Sequence, residues 1–294
     1  TEPIPPLIWR MAIPTIISML VTNFYNMADT FFVGRINTQS TAAVGVVFSI
    51  MALIQAVGFF FGHGSGNYIS KKLGAKRFED ASKMAATGFF SAFVVGVIIC
   101  IIGLIFLEPL SIILGSTPTI LPYTKDYLSI ILIGTPFIMS SFVLNNQLRY
   151  QGSASYAMAG IVTGAIINIG LDPILIFGFN MGISGAAIAT TVSQIISFIL
   201  LLVGCQKGNN IRISVKNFTP QLYYFKEMFR GGFPSLCRQG LASVAQVSLN
   251  FAAGMYGGAM ADAAIAGMSI VSRVSMFANS ALIGFGQGFQ PVCG

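Results

Sequence analysis

Residues 160–179 read GIVTGAIINIGLDPILIFGF. The run is long and apolar enough to cross a bilayer as a helix, which needs about 20 such residues. It nevertheless carries Asn168 and Asp172, with Pro173 immediately after. A helical spacing of four puts the amide and the carboxylate on one face. Pro173 has no N–H, so the carbonyl of Ile169 loses its helical partner. Three oxygen-bearing groups converge inside a spanning segment. A carboxylate in such a place is costly and marks a functional site.

The rest of the chain has the same character. It is 294 residues long, 54% hydrophobic and 9% charged, with a mean hydropathy of +0.78. Soluble domains carry about 25% charged residues. The composition predicts an all-α polytopic membrane protein. Continuous rather than alternating apolar runs argue against a β-barrel. Eight spans are expected at roughly 8–33, 40–66, 84–107, 125–148, 156–178, 184–204, 230–256 and 262–290.

The net charge of +7 does not point to nucleic acid, because the basic residues sit in short loops between spans. One set of loops holds Arg10, Lys71, Lys72, Lys76, Arg77, Lys83, Arg149, Lys207, Arg212, Lys216, Lys226 and Arg230; the alternate set holds Arg35 and Lys125. This bias predicts a cytoplasmic N-terminus. Cys100, Cys205, Cys237 and Cys293 are scattered and read as small core residues.

The chain also repeats itself. WRMAIPTI at 9–16 resembles FRGGFPSL at 229–236, and Gly62, Gly64 and Gly66 match Gly284, Gly286 and Gly288. Spans 7 and 8 restart the pattern of spans 1 and 2. An even number of spans separates the copies, so the repeat is parallel. The expected organisation is a six-helix lobe over 1–204, a cytoplasmic linker over 205–229, and the first two helices of a second lobe over 230–294. The repeat predicts a twelve-span protein of which this chain is about two thirds.

Among the acids, only Asp29 and Asp172 fall well inside predicted spans. At 1.5 Å per residue, Asp29 lies roughly 6 Å and Asp172 roughly 9 Å from the outer ends of their spans. Thr190 reaches a matching depth in span 6, and Tyr127 opens span 4 at that level. Two carboxylates in a low-dielectric pocket cannot both ionise cheaply. With Asn168, Thr190 and the Ile169 carbonyl they would take up a proton or a sodium ion. The simpler reading is that each carboxylate reaches an interface or a neighbouring donor. Arg238 and Arg273 sit near mid-span, where an arginine needs a partner or a wet cavity. His63, in FGHGSGN, reads as a packed residue beside close-packing glycines or as a proton relay. The amides of NNQLRYQG at 145–152 are expected to satisfy backbone and loop. With no Ser/His/Asp set, paired histidines or CxxC, an enzyme is disfavoured.

The motifs MADTFFVGR at 27–35, SKKLGAKRFEDA at 70–81, NNQLRYQG at 145–152, NIGLDPILIFGF at 168–179, GISGAAIAT at 182–190 and GFGQGFQP at 284–291 resemble, in order, those of the multidrug and toxic compound extrusion (MATE) family. The resemblance covers essentially the whole chain. It implies two six-helix lobes and an inner-membrane antiporter that exports organic, often cationic and amphiphilic, compounds in exchange for H+ or Na+, without a cofactor. It places the coupling site on Asp29, Asn168, Asp172, Thr190 and Tyr127, with Na+, if used, at the first four. It makes Pro14 a bending point of the first helix, and Pro173 is a second interruption. Some relatives carry an acid in helix 7 that binds cations, where this chain offers Arg238, Gln239, Gln246 and Asn250 instead, so the resemblance does not extend to a site there; Arg238, Gln239 and Arg273 are candidates to line a cavity. A monomer with small-molecule substrates is expected. A flippase for lipid-linked precursors and a non-transporting scaffold are the alternatives.

Overall fold

The computed structural model describes residues 4–207, 210–256, 275 and 277–290. The described residues are almost entirely helical: α1 (Ile4–Gly34), α2 (Thr38–Gly74), α3 (Phe78–Ile105), α4 (Leu107–Ile113), α5 (Leu121–Tyr150), α6 (Ala154–Pro173), α7 (Gly182–Gln206) and α8 (Leu222–Tyr256), with residues 277–290 also helical. Six of these, α1–α3 and α5–α7, are long and apolar enough to cross a membrane. The sequence predicts eight. Span 7 lies within α8, whose first turns carry Lys226, Glu227 and Arg230 ahead of Arg238, and about half of span 8, residues 262–274 and 276, lies outside the described residues.

Local chemistry sets the boundaries. The Asn37 side chain caps α2, accepting from the Ser40 N–H at 2.6 Å. Lys71 and Lys72 close α2, and Glu79 and Asp80 open α3, each matching the helix dipole. Lys76 takes a positive φ in the turn between them. The sequence reading missed α4, in the loop predicted at 107–125; its Glu108 pairs with Lys125 at 2.8 Å. Beyond Pro173 the chain forms a π-helical turn, Ile174–Gly178, so the helix of span 5 is interrupted and not ended.

α5 is the hub, packing against α2, α3, α4, α6 and α7. Small residues permit the approach: a methyl on Gly96 would lie 2.7 Å from the Pro136 Cα, and one on Gly134 2.8 Å from Thr191. Most of the described residues expected to form a linker at 205–229 are exposed, but a few anchor the stretch to the core. Ile211 and Tyr224 join the core beside Tyr68 and Phe198, Phe218 stacks edge-on to Phe90, and α8 already begins at Leu222.

Members of both glycine sets lie on the seam between α1–α7 and the later helices, while Gly62 and Gly66 meet Asn146 and Tyr150 of α5. Gly64 of α2 meets the Met228 carbonyl of α8. Gly284 meets Ile16 of α1, 2.7 Å from where its Cβ would lie, and Gly288 meets Ala12. Gly232 of α8, the repeat counterpart of Ala12, rests on Phe60 of α2. The parallel repeat thus produces two equivalent contacts: span 7 on span 2, and span 1 on span 8.

Candidate functional site

Four helices bring the predicted polar residues together. Asp29 comes from α1, Tyr127 from α5, Asn168 and Asp172 from α6, and Thr190 from α7. Asn168 Nδ2 donates to Thr190 Oγ1 at 3.4 Å. Tyr127 is buried, with Thr190, Asp29 and Asp172 as its polar neighbours. Asp172 is fully buried, and Asp29 lies within its electrostatic reach. Both Asp172 oxygens, Asp29 Oδ1 and Asn168 Oδ1 are buried without a hydrogen-bond partner.

Buried oxygens without donors are unfavourable unless something else satisfies them. Four of them, three belonging to carboxylates, form a donor set suited to a hard monovalent cation or a proton. Nitrogen or sulfur ligands are not among them. The carbonyl of Ile169 adds a fifth oxygen-bearing group, because Pro173 supplies no N–H to it.

A cavity of about 200 Å³ opens beside this cluster. Asn168 and Thr190 face it, while the two aspartates lie behind its wall. Tyr25, Asn26, Gln55 and Gln194 also line it, and Tyr25 hydrogen-bonds with Gln194. The sequence reading missed these residues, although a signal was present. Tyr25 precedes Asp29 by four residues, and Gln194 follows Thr190 by four, the same spacing as Asn168 and Asp172. Three helices each offer a polar pair on one face.

The other candidates fall elsewhere. Pro14 lies inside α1, ten residues from the N-terminal end of that helix, and Pro173 closes α6. A second cavity, of about 1090 Å³, lies at the end of the bundle carrying Lys71 and Arg230, and Arg238 lines it. Gln239 is half-buried, has its own polar or electrostatic contact, and lies outside the walls of both cavities. Arg273 lies outside the described residues. His63 is buried, with Nδ1 3.0 Å from Ser235 Oγ, packed between Phe59 and Tyr150. Of the NNQLRYQG amides, Asn145 and Asn146 donate to the carbonyls of Ala157 and Phe142, and Gln147 to Ser65 and Ala85. Cys100, Cys205 and Cys237 are free thiols.

The MatE family model matches residues 14–174. The multidrug export protein MepA of Staphylococcus haemolyticus is 31% identical over 96% of this chain and 62% of its own length. MepA of Staphylococcus aureus strain MRSA252 is 26% identical over 99% of this chain and 64% of its own length. A solved MATE in complex with MaD3S superposes with a TM-score of 0.91 at 29% identity, over 97% of this chain and 64% of that one. The chain therefore spans less than two thirds of the length of these relatives.

Proposed function

The chain belongs to the MATE family of multidrug efflux transporters, and from that premise we propose that it carries the cation-coupling lobe of a secondary antiporter. The reading rests chiefly on one observation: Asp29 Oδ1, Asn168 Oδ1 and both Asp172 oxygens are buried together without partners. A proton or a sodium ion would satisfy them. Asp29 and Asp172 carry the charge, Asn168 and Thr190 complete the oxygen set, and Tyr127 holds Thr190 in place. Pro14 and Pro173 let α1 and α6 bend as the site fills and empties.

In this reading the protein sits as a multi-pass monomer in the inner (plasma) membrane with a cytoplasmic N-terminus. Residues 1–204 form the first lobe, 205–229 the connector, and 230–294 the start of the second lobe. Amphiphilic, often cationic, compounds bind between the lobes next to the Tyr25–Gln194 wall. Cation entry from outside favours the state that releases them there, because a ligand shifts an equilibrium by its differential affinity for the two states. Solved relatives include a multidrug resistance transporter of this family in an outward-facing conformation, with a TM-score of 0.89 at 29% identity over 97% of this chain and 63% of that one.

The test is Asp172→Asn in inverted vesicles. Ion-gradient-driven drug efflux falls to background while membrane insertion is unchanged. Normal gradient-driven efflux by the variant would remove the proposal. A flippase for lipid-linked precursors is the second reading, favoured by the buried cationic Arg149 and by Arg238 in the larger cavity. Loss of precursor translocation on deletion, with drug tolerance intact, would select it.

A further inference from the structure

One side chain joins a residue of each cavity wall. Arg149, at the last turn of α5, is 4% exposed. It donates to Asn145 Oδ1, which lines the smaller cavity, and to Gln287 Oε1, which lines the larger one. Its Nε is buried without a partner. A buried guanidinium satisfied only by neutral amides is poorly compensated. It belongs to an arrangement that can exchange its partners for water.

The bond to Gln287 also crosses the seam between α1–α7 and the later helices. Other bonds flank it on the same seam. Tyr150 donates to Gln290 at 2.7 Å, His63 meets Ser235 at 3.0 Å, and Asn67 donates to the Gly231 carbonyl at 3.3 Å. All lie on the side of the seam that carries the basic loops. Around them the glycine contacts at Gly64 and Gly288 bring the backbones together.

We propose that Arg149 and Gln287 form the inner gate, a hydrogen-bonded partition between the central cavity and the cytoplasmic vestibule, with Tyr150–Gln290 and His63–Ser235 as its flanking latches. The proposal rests on the transporter reading for its direction. With the lobes together, the amide of Gln287 takes one side of the guanidinium and seals the floor of the cavity. With the lobes apart, water takes that place and the path from the cytoplasm is open. The gate is bistable because each state satisfies Arg149 differently. Neutral partners keep the closed state from being too deep; a carboxylate at 287 would make a charge-assisted pair.

The test exchanges that partner. Met11, buried on α1 beside Gly288, is replaced by cysteine in a background with the four native cysteines changed to alanine. A membrane-impermeant maleimide is applied from the cytoplasmic face of reconstituted protein. Gln287→Glu slows labelling and Gln287→Leu speeds it, with the two rates differing by more than about threefold. Rates within threefold of each other, or in the reverse order, overturn the gate. Should Gln287→Glu fail to fold, Tyr150→Phe removes only the hydroxyl given to Gln290. Its labelling rises more than about twofold over the parent, and any smaller rise overturns the proposal. Labelling needs no ion-driven flux, so failure of the antiport reading and failure of the gate are told apart.

Discussion

At the scale of single residues, the site is a set of oxygens held by very few donors. Thr190 is the exception, since its hydroxyl meets both Asn168 and Tyr127. Thr190→Val keeps the shape and deletes the hydroxyl to which Asn168 donates. A net hydrogen bond contributes about 1 kcal/mol, so the apparent cation affinity falls about five- to tenfold. Thr190→Ser restores it. Cation titration of efflux rate, or of heat on binding, reads the change. Equal affinity in all three proteins would take Thr190 out of the coordination set. Asp172 and Asn168 were legible in the sequence because a carboxylate in an apolar run is too costly to persist without a role. Tyr25 and Gln194 stood out less, because an uncharged tyrosine or glutamine inside a span costs far less than a carboxylate, and their shared i, i+4 spacing gains meaning only once the cavity they face is known.

At the scale of helices, packing is decided by where a β-carbon cannot go. Gly64 of α2 meets the backbone of α8, whereas Gly45 of the same helix has nothing within 4 Å of an added methyl. Gly64→Val forces α2 and α8 apart and destabilises the protein by about 1–3 kcal/mol. Gly45→Ala does not destabilise it, because alanine is the better helix former. Thermal unfolding in detergent compares the two. A Gly64→Val protein as stable as the Gly45→Ala one would show that the seam is loose. The glycine triplet and its copy were visible as a repeat. That each set receives a helix of the other copy was not, since periodicity gives a helix's spacing but not its neighbour. The short α4 was missed for a related reason: seven residues are too few to show a period, and a proline at its third position obscures it.

At the scale of the whole molecule, charge sets direction. The basic residues crowd one end of the bundle, where Lys71, Lys72, Lys76 and Arg77 join α2 to α3. In intact cells, a cysteine placed at Lys76 stays unlabelled by an impermeant maleimide, and one at Thr117 is labelled. The reverse pattern would invert the proposed topology. Several hydrogen bonds across the seam, the Arg149–Gln287 bridge among them, lie at the same basic end, while Asn23–Ser280 and Phe24–Phe277 continue the seam along α1. In the proposed gate the bonds at the basic end close the central cavity on the cytoplasmic side.

The sequence alone determined the membrane class, because 54% hydrophobic residues in continuous runs cannot be solvated. It also determined the parallel repeat and the placing of two carboxylates at one depth, since helix rise turns residue counts into distances. Only the tertiary structure decided that Asp172, Asp29 and Asn168 keep oxygens unpaired, that Tyr127 is buried near Thr190, and that Arg149 bonds to a residue of each cavity wall. Those facts depend on which helices are neighbours and on which donors come within about 3.5 Å of each oxygen. Spacing along one helix fixes a face, but the group that meets that face comes from elsewhere in the chain.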